Sequence, residues 1–378
     1  MRCAVVRRLG SATWLALWLS AALNGSCGAG DNGDGSRYVK LRGETMGTYY
    51  ALTFALDDVD AAVQARLRES VDSLLASLND GVNHYLPNSL ISRFNRGDTI
   101  RYRGTIGGSS TLATSPEEHF FRNVELSLKP VALTGGAFDP TVGPLVEYYG
   151  FGPTATFDDP VEPDVIDSLL RVVGYDQVAF DSVGGAYEAY AKTRGVRLNF
   201  SAIAKGYGVD QVFLLLRQRT GNANVFVEIG GETRASGVSP RGTSWTVGVN
   251  RPDPRAGLSD LVLALALDAR AVASSGNYRN SRLRDGRRYV HTVDPRTGRA
   301  EASALLSASV LAPTCAEADA YATACMVVGE GAPEVLAKAG LDACLIFADT
   351  VGTGYDVRYV GDFERFVREP QSSTQAPE

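Results

Sequence analysis

The chain has 378 residues, of which 44% are hydrophobic and 21% are charged, as in a globular protein with one large domain or two closely associated ones. The formal net charge of −6 argues against non-specific nucleic-acid binding. With only three histidines, a metal site with several histidine ligands is disfavoured, and oxygen ligands would suit Mg²⁺ or Ca²⁺.

The first residues are predicted to be a targeting segment. Three arginines lie within the first eight residues, and the apolar stretch that follows, residues 9–23, is too short for a comfortable membrane span. Small residues then lead to Cys27, as in a bacterial lipoprotein signal. We therefore expect residues 1–26 to be a signal peptide and Cys27 to carry a lipid that tethers the protein to the periplasmic side of the inner membrane. Simple secretory cleavage is the alternative.

Composition also predicts the domain boundaries. Residues 27–37 are rich in Gly, Asp and Ser, which indicates a flexible tether. Residues 369–378 are polar, which indicates a disordered tail. The remaining residues, 38–368, are expected to form the folded domain.

The spacing of apolar residues predicts an α+β fold, with antiparallel sheets flanked by helices and two subdomains that share one core. In chain order, we expect a strand pair over 38–56 interrupted at 46–48, helices over 60–78, 117–127, 163–173, 206–220, 314–328 and 333–339, and strands near 177–180, 186–191, 224–229, 245–250, 261–267, 288–293, 304–311, 344–348 and 354–359. Residues 97–115 and 274–277 are expected to be loops.

The segment 198–210, LNFSAIAKGYGVD, is predicted to pass from a strand through a short turn into a helix. Ser201 is the expected N-cap of that helix, and Gly206 would let the helix start approach another backbone or a ligand. A helix N-terminus attracts anions, and Lys205 adds a positive charge there. The segment is therefore either a phosphate site or an ordinary strand–helix joint with an exposed lysine.

Asp319 and Thr323 are four residues apart on a predicted helix, so their oxygens share one face. Thr314 is the expected N-cap, and Glu317 would complete a capping box. A carboxylate and a hydroxyl suit Mg²⁺ if a backbone carbonyl and phosphate oxygens join them. The alternative is the polar face of a surface helix.

His291 precedes the polar turn 294–298. It is either a structural histidine or a catalytic one, since imidazole titrates near neutral pH. Cys315, Cys325 and Cys344 are the cysteines of the predicted domain. They are either small buried hydrophobic residues or include one disulfide.

Nine segments in order resemble the ApbE family of FAD:protein FMN transferases, and together they cover nearly all of the predicted domain. The segments are MGT (46–48), GGAFDPTVGPL (135–145), YGFG (149–152), VGY (173–175), AIAKGYGVD (202–210), EIGGE (228–232), SSGNY (274–278), HTVDPRTG (291–298) and ADAYAT (318–323).

The resemblance implies a T-fold-like architecture and a Mg²⁺-dependent exported enzyme. Such an enzyme moves FMN from FAD onto a Thr or Ser hydroxyl of an acceptor protein, expected here to be a membrane redox subunit, and releases AMP. The resemblance places the metal on the backbone carbonyl of Ala202 and on the side chains of Asp319 and Thr323. It makes His291 the general base for the attacking hydroxyl.

The resemblance also implies a set of residues that hold FAD between the two subdomains: Met46, Tyr85, Ala137, Phe138, Asp139, Asn199, Lys205 and Val293. Asn199 stands where the family usually has Asp, and Ala322 stands where some members have another acid. The residues before Tyr85, Asn83 and His84, also depart from the family pattern. A Mg²⁺-dependent FAD pyrophosphatase and a non-catalytic FAD-binding lipoprotein are the alternative functions.

The lipid anchor can be tested by removing its attachment point. Cys27→Ala should move the protein from the membrane fraction to the soluble fraction, because the acyl chains that hold it in the bilayer would be absent. Cell fractionation followed by immunoblotting measures this. The matched control is Cys3→Ala, which should leave the protein with the membrane. Retention of the Cys27→Ala protein in the membrane would show that lipidation at this cysteine is wrong.

Overall fold

The structure is a computed structural model that describes residues 37–57, 60–108, 110–153, 161–257, 259–278, 280–284, 286–349 and 354–368. The predicted signal peptide, nearly all of the predicted tether and the predicted tail lie outside these residues. Among the described helices, none combines the length and the apolar character that a bilayer span requires.

The strands in the described part of the chain all pair antiparallel with their neighbours. They are β1 (Arg37–Thr45), β2 (Thr48–Leu56), β3 (Ile100–Arg103), β4 (Val178–Val183), β5 (Ala186–Ala191), β6 (Val225–Ile229), β7 (Glu232–Ser236), β8 (Trp245–Asn250), β9 (Leu261–Leu267), β10 (Ala271–Gly276), β11 (Ser281–Arg284), β12 (Arg287–Val290), β13 (Leu305–Ala312), β14 (Asp342–Ala348), β15 (Tyr355–Val360) and β16 (Val367–Arg368).

The main sheet has the order β1-β2-β6-β7-β10-β13-β14-β15, and smaller sheets have the orders β16-β9-β8, β3-β5-β4 and β11-β12. The α-helices are α1 (Ala61–Val82), α2 (Leu90–Asn95), α3 (Pro116–Leu133), α4 (Gly143–Tyr148), α5 (Pro163–Leu170), α6 (Ala204–Thr220), α7 (Cys315–Val328) and α8 (Ala332–Ala339).

The main sheet is covered on both faces. On one face, α1 and α6 bury Val71 and Val212 against Phe54 of β2, and α7 packs on β10 and β13. On the other face, β8 and β9 bury Trp245 and Leu265 against the sheet. Because both faces are packed, apolar side chains of the sheet are buried on both sides.

The predicted α+β class with antiparallel sheets and flanking helices is confirmed, but three local predictions are wrong. The expected loop 97–115 contains β3, the expected loop 274–277 begins inside β10, and β7 was not predicted. Both β7 and β10 are central strands between packed layers, so they lack the alternation of apolar and polar residues that marks a half-exposed strand. In β10, Ser274 even bonds Ser309 across the sheet, with the hydroxyl oxygens 2.7 Å apart.

The helix starts give one confirmed cap and two corrections, because the predicted capping box of α7 does not form and the N-cap of α6 is not Ser201. Thr314 caps α7, because its hydroxyl accepts from the Glu317 amide at 3.4 Å. The Glu317 carboxylate instead binds the Lys129 ammonium at 2.7 Å. The predicted cap of α6 is wrong: Ser201 is exposed in the preceding turn, and Ile203 occupies the N-cap position without a side-chain bond.

The three cysteines of the domain are free thiols, and all are buried. Cys315 lies in the α1–α6 core, and Cys325 lies in the α7 core. The first of the two interpretations, small buried hydrophobic residues, therefore describes them.

Asp210 joins α6 to α7. Its carboxylate accepts from the amides of Cys315 and Ala316, both at 2.9 Å, and pairs with the Arg234 guanidinium at 2.7 Å. Asp210 is only 4% exposed. Burial raises the pKa of Asp210, and Arg234 and the two amides oppose that shift. One buried carboxylate thus fixes the start of α7 against α6.

Asp210→Ala should lower the free energy of unfolding by about 3–5 kcal/mol, because it leaves the Arg234 charge and two helix amides without their partner. Urea denaturation followed by circular dichroism measures this change. Asp98→Ala is the matched control, since Asp98 binds Arg93 at 3.1 Å with a side chain that is 48% exposed. Its loss should cost less than about 1 kcal/mol. Equal losses would contradict the role assigned to Asp210.

Candidate functional site

A cavity of about 650 Å³ lies beside the start of α6, one face of α7 and the end of β10. The residues predicted as site residues line it, with the exception of Met46: they are Tyr85, Ala137, Phe138, Asp139, Asn199, Ala202, Lys205, His291, Val293, Asp319 and Thr323. The fold therefore brings segments far apart in the sequence to one place. Their contacts with ligands stay predictions.

Met46 lies elsewhere, in the turn between β1 and β2, where it has a positive φ of 49°. Its methyl group packs close to Gly208 of α6. Met46 is thus adjacent to the helix that carries Lys205, but it is not among the residues that line the cavity.

Lys205 lies between two carboxylates. Its ammonium is 2.9 Å from Oε1 of Glu232 and 3.5 Å from Oδ2 of Asp319. Burial disfavours the charge of Lys205, but the two carboxylates outweigh this effect and raise its pKa. Lys205 is therefore held as a cation, with 30% of its side chain exposed.

Glu232 is a site residue that the sequence analysis missed. It is 4% exposed and lines the cavity, and its Oε2 is buried without a hydrogen-bond partner. Burial raises the pKa of Glu232, and Lys205 counteracts part of that rise. The pair of glycines before Glu232 was the signal that could have identified this residue. Two glycines predict a tight turn, and a residue directly after such a turn is expected to begin the next strand.

Asp319 occupies the N-terminus of α6. Its Oδ2 accepts from the Gly206 amide at 3.0 Å, although the two residues are 113 positions apart. The anion that this helix start attracts is therefore a side chain of α7. One turn further along α7, the Thr323 hydroxyl lies 3.3 Å from that of Ser275 in β10.

The oxygen donors here fit Mg²⁺. Asp319, Thr323 and Ala202 line the same cavity, next to the unpartnered Oε2 of Glu232. In the described part of the chain, no group of three or more His, Cys, Asp or Glu could hold a metal alone. Mg²⁺ typically takes one or two carboxylates and completes its shell with substrate phosphates and water, so this donor set suits it.

The loop from Ala137 to Thr141 forms another wall of the cavity. The Asp139 carboxylate accepts from the Thr141 amide at 2.8 Å and from the Thr141 hydroxyl at 2.6 Å. Burial raises the pKa of Asp139, and the bonds from Thr141 oppose the rise. The Asn199 backbone amide donates to the Pro140 carbonyl at 2.7 Å, and its side-chain oxygen accepts from the Ser201 backbone amide at 2.9 Å. Asp139 and Asn199 thus hold this wall against the start of α6.

His291 lies at the end of β12, and its ring packs edge-on against Phe151, with the centroids 6.3 Å apart. Its Nδ1 is 3.2 Å from the Asn280 carbonyl oxygen. Because a carbonyl can only accept, Nδ1 carries the proton and Nε2 is left as a proton acceptor. Burial lowers the pKa of His291, the Asn280 carbonyl opposes this, and the charge of Lys205 lowers it further.

Tyr85 stands at the cavity mouth, 55% exposed, with its hydroxyl donating to the Phe151 carbonyl at 3.1 Å. The ring of His84 lies beside it, with the centroids 4.3 Å apart. Burial lowers the pKa of His84 to about 4, so this second histidine is neutral as well.

A sequence model of the ApbE family matches residues 46–345, which include every predicted site residue. The chain belongs to the ApbE family. It is 32% identical over 312 residues to the FAD:protein FMN transferase of Haemophilus influenzae, covering 82% of this chain and 87% of that one. It is 33% identical over 314 residues to the FAD:protein FMN transferase of Vibrio cholerae, covering 82% and 88%.

The likeness extends to the fold. The solved structure of the flavin transferase ApbE from Vibrio cholerae matches this ApbE-family chain with a TM-score of 0.72 at 28% sequence identity, over 88% of this chain and 99% of that one. The predicted family and architecture are therefore confirmed. The matched region lies within the predicted domain 38–368, whose boundaries stay a prediction.

Proposed function

We propose that this protein is a Mg²⁺-dependent enzyme that transfers FMN from FAD to a Thr or Ser hydroxyl of an acceptor protein and releases AMP. The observation that carries the proposal is the position of His291, whose Nε2 can accept a proton in the same cavity that holds the Lys205–Glu232–Asp319 cluster. The names of the similar proteins support the same reaction.

His291 would take the proton of the acceptor hydroxyl at Nε2. The hydroxyl oxygen then forms a bond to the phosphorus of the FMN half of FAD, and the bond from that phosphorus to the bridging oxygen breaks. The electron pair of that bond leaves with AMP. The positive charge of Lys205 would stabilise the negative charge that develops on the departing phosphate.

The net charge of the cluster supports the proposal that a metal ion binds with the substrate. Glu232 and Asp319 bring two negative charges and Lys205 brings one positive charge, so the cluster alone would repel a pyrophosphate when both carboxylates are ionised. Ala202, Asp319 and Thr323 would hold Mg²⁺, which when bound supplies positive charge against the pyrophosphate and polarises it.

The wall residues would bind FAD. The exposed ring of Tyr85 offers a stacking surface for the flavin, and the loop from Ala137 to Asp139 with Asn199 and Val293 would enclose the nucleotide. The volume of about 650 Å³ lies within the usual range for sites of cofactor-sized ligands.

The acceptor that we propose is a membrane redox subunit, and the place of the reaction is the periplasmic side of the inner membrane, with the enzyme tethered at Cys27.

Water in place of the acceptor hydroxyl would make the protein an FAD pyrophosphatase. Incubation with FAD, Mg²⁺ and a candidate acceptor separates the functions: covalent flavin on the acceptor identifies the transferase, FMN with AMP identifies the hydrolase, and unchanged FAD identifies a binding protein.

Asp319→Ala should lower the transfer rate by at least about a hundredfold, because neutral oxygens alone hold Mg²⁺ weakly. FAD affinity should fall much less, since the flavin and adenine contacts remain. Transfer rates over a Mg²⁺ titration measure this change. Asp319→Asn is a second variant that keeps an acceptor for the Gly206 amide while lacking the charge. Glu317→Ala is the control, because Glu317 is a carboxylate on the same helix that binds Lys129 instead. This variant should transfer FMN at the wild-type rate. Normal turnover of both Asp319 variants at low Mg²⁺ would remove Asp319 from the site.

His291→Ala should bind FAD and Mg²⁺ almost normally and transfer FMN at least about a hundredfold more slowly, because general-base catalysis is typically worth about 10²–10⁴ in rate. The FAD dissociation constant and the single-turnover rate are measured on the same variant. His291→Asn should be equally slow, since its amide can donate to the Asn280 carbonyl but cannot accept a proton as a base.

The pH profile supplies a further check. The deprotonated imidazole is the active form and its pKa is lowered. Transfer should therefore begin to fall at a lower pH than an ordinary imidazole base would give, as the ring gains a proton. A weakened FAD affinity with an intact saturated rate would contradict the base assignment.

A further inference from the structure

The hairpin of β11 and β12 is the most basic segment of this acidic chain. Five arginines and one aspartate lie between positions 279 and 288, although the formal net charge of the chain is −6. In the described part of the structure, the two strands form a separate two-stranded sheet, and an isolated antiparallel bridge joins Tyr289 of β12 to Glu301. We call residues 281–290 the basic hairpin.

The basic hairpin flanks the proposed catalytic base. His291 directly follows β12. Asn280, whose carbonyl oxygen accepts a hydrogen bond from Nδ1 of His291, directly precedes β11. Arg282 lines the cavity, and its guanidinium carbon lies 5.5 Å from the centroid of the Phe151 ring. A molecule that brings a hydroxyl to His291 therefore reaches a residue that adjoins this hairpin.

Of the four arginines of the basic hairpin, three lie on the surface and Arg284 is buried, with 9% of its surface exposed. Arg282, Arg287 and Arg288 are exposed, and Leu283 is 75% exposed, more than any other large hydrophobic residue described as exposed. The strand register sets Arg284 directly opposite Arg287. Like charges in such cross-strand pairs destabilise a hairpin, so folding of the hairpin alone does not favour this arrangement.

We propose that the basic hairpin docks the acceptor protein, and that the docked part is an acidic segment next to the Thr or Ser that receives FMN. The inference rests on the proposed transfer reaction and names the chemistry of its protein partner. Exposed arginines steer and orient an acidic partner, and arginine is enriched in protein interfaces. Leu283, between Arg282 and Arg284, gives that segment an apolar contact.

An anionic membrane surface is the other possible partner for such a charge. The geometry favours a protein, because Arg282 lines the cavity and His291 follows the hairpin. A bilayer pressed against this hairpin would cover the cavity mouth, whereas an extended peptide can cross the hairpin and place one hydroxyl at His291.

The test uses the full-length protein and two fluorescent peptides of equal length, each with one central Thr. Asp residues flank the Thr in one peptide, and Lys residues flank it in the other. In low salt, the wild-type protein should bind the Asp peptide at least about tenfold more tightly, and Arg287→Glu should abolish that preference. Arg287→Ala should give an intermediate value. Anisotropy measures binding without turnover.

The matched control is Arg255→Glu, the same charge change at a side chain that is 92% exposed on the connection between β8 and β9. It should keep the preference for the Asp peptide. Both Glu variants should bind FAD as the wild type does, which also shows that they are folded.

Three results would overturn the proposal: equal binding of the two peptides by the wild type, an equal effect of both Glu variants, or a loss of FAD affinity in Arg287→Glu. A loss of binding to phosphatidylglycerol vesicles without a change in peptide binding would assign the hairpin to the membrane instead. If the Asp peptide binds through Arg287 but receives no FMN, the proposed transfer to such a segment fails while the docking surface stands.

Discussion

The close contact between α6 and α7 at Gly206 is the constraint on which the site depends. A Cβ atom at residue 206 would lie 2.2 Å from the Cys315 carbonyl oxygen and 2.8 Å from the Cβ of Asp319, so a larger residue would push the helices apart. At this separation the Gly206 amide reaches the Asp319 carboxylate, and Asp210 reaches the first amides of α7. The contact therefore sets the relative positions of Lys205 on one helix and Asp319 on the other.

The electrostatics of the cavity follow from that contact. Glu232 and Asp319 hold Lys205 as a cation, and the cluster carries a net negative charge when both carboxylates are ionised. Two positions where the family resemblance implies acids are neutral here, and the structure gives each a different role. Asn199 bonds Pro140 and Ser201 and so holds the wall loop, and Ala322 is buried in the apolar cluster around α7.

Predictions from local periodicity succeeded where one face of an element is exposed, as in α1. They failed for β7 and β10, because both strands are packed on two faces and their sequences, ETRAS and AVASSG, lack the alternation that marks a half-exposed strand. The same failure concealed Glu232, which is the first residue of β7. The cap of α6 was also wrong, since Ser201 had the right side chain while the backbone start of the helix lies beyond it.

The sequence by itself determined the local features of the site: the one-turn spacing of Asp319 and Thr323, the presence of a glycine at position 206 where a close approach is possible, and the segments that identify the family. Only the tertiary structure decided that Lys205 stands between carboxylates from β7 and α7, that Asp319 rather than a bound anion takes the start of α6, and that the Asn280 carbonyl fixes the proton on His291. Helical spacing is a local property of a few residues. The helix–helix contact between Gly206 and Asp319 joins residues 113 positions apart, and such contacts depend on how the layers pack.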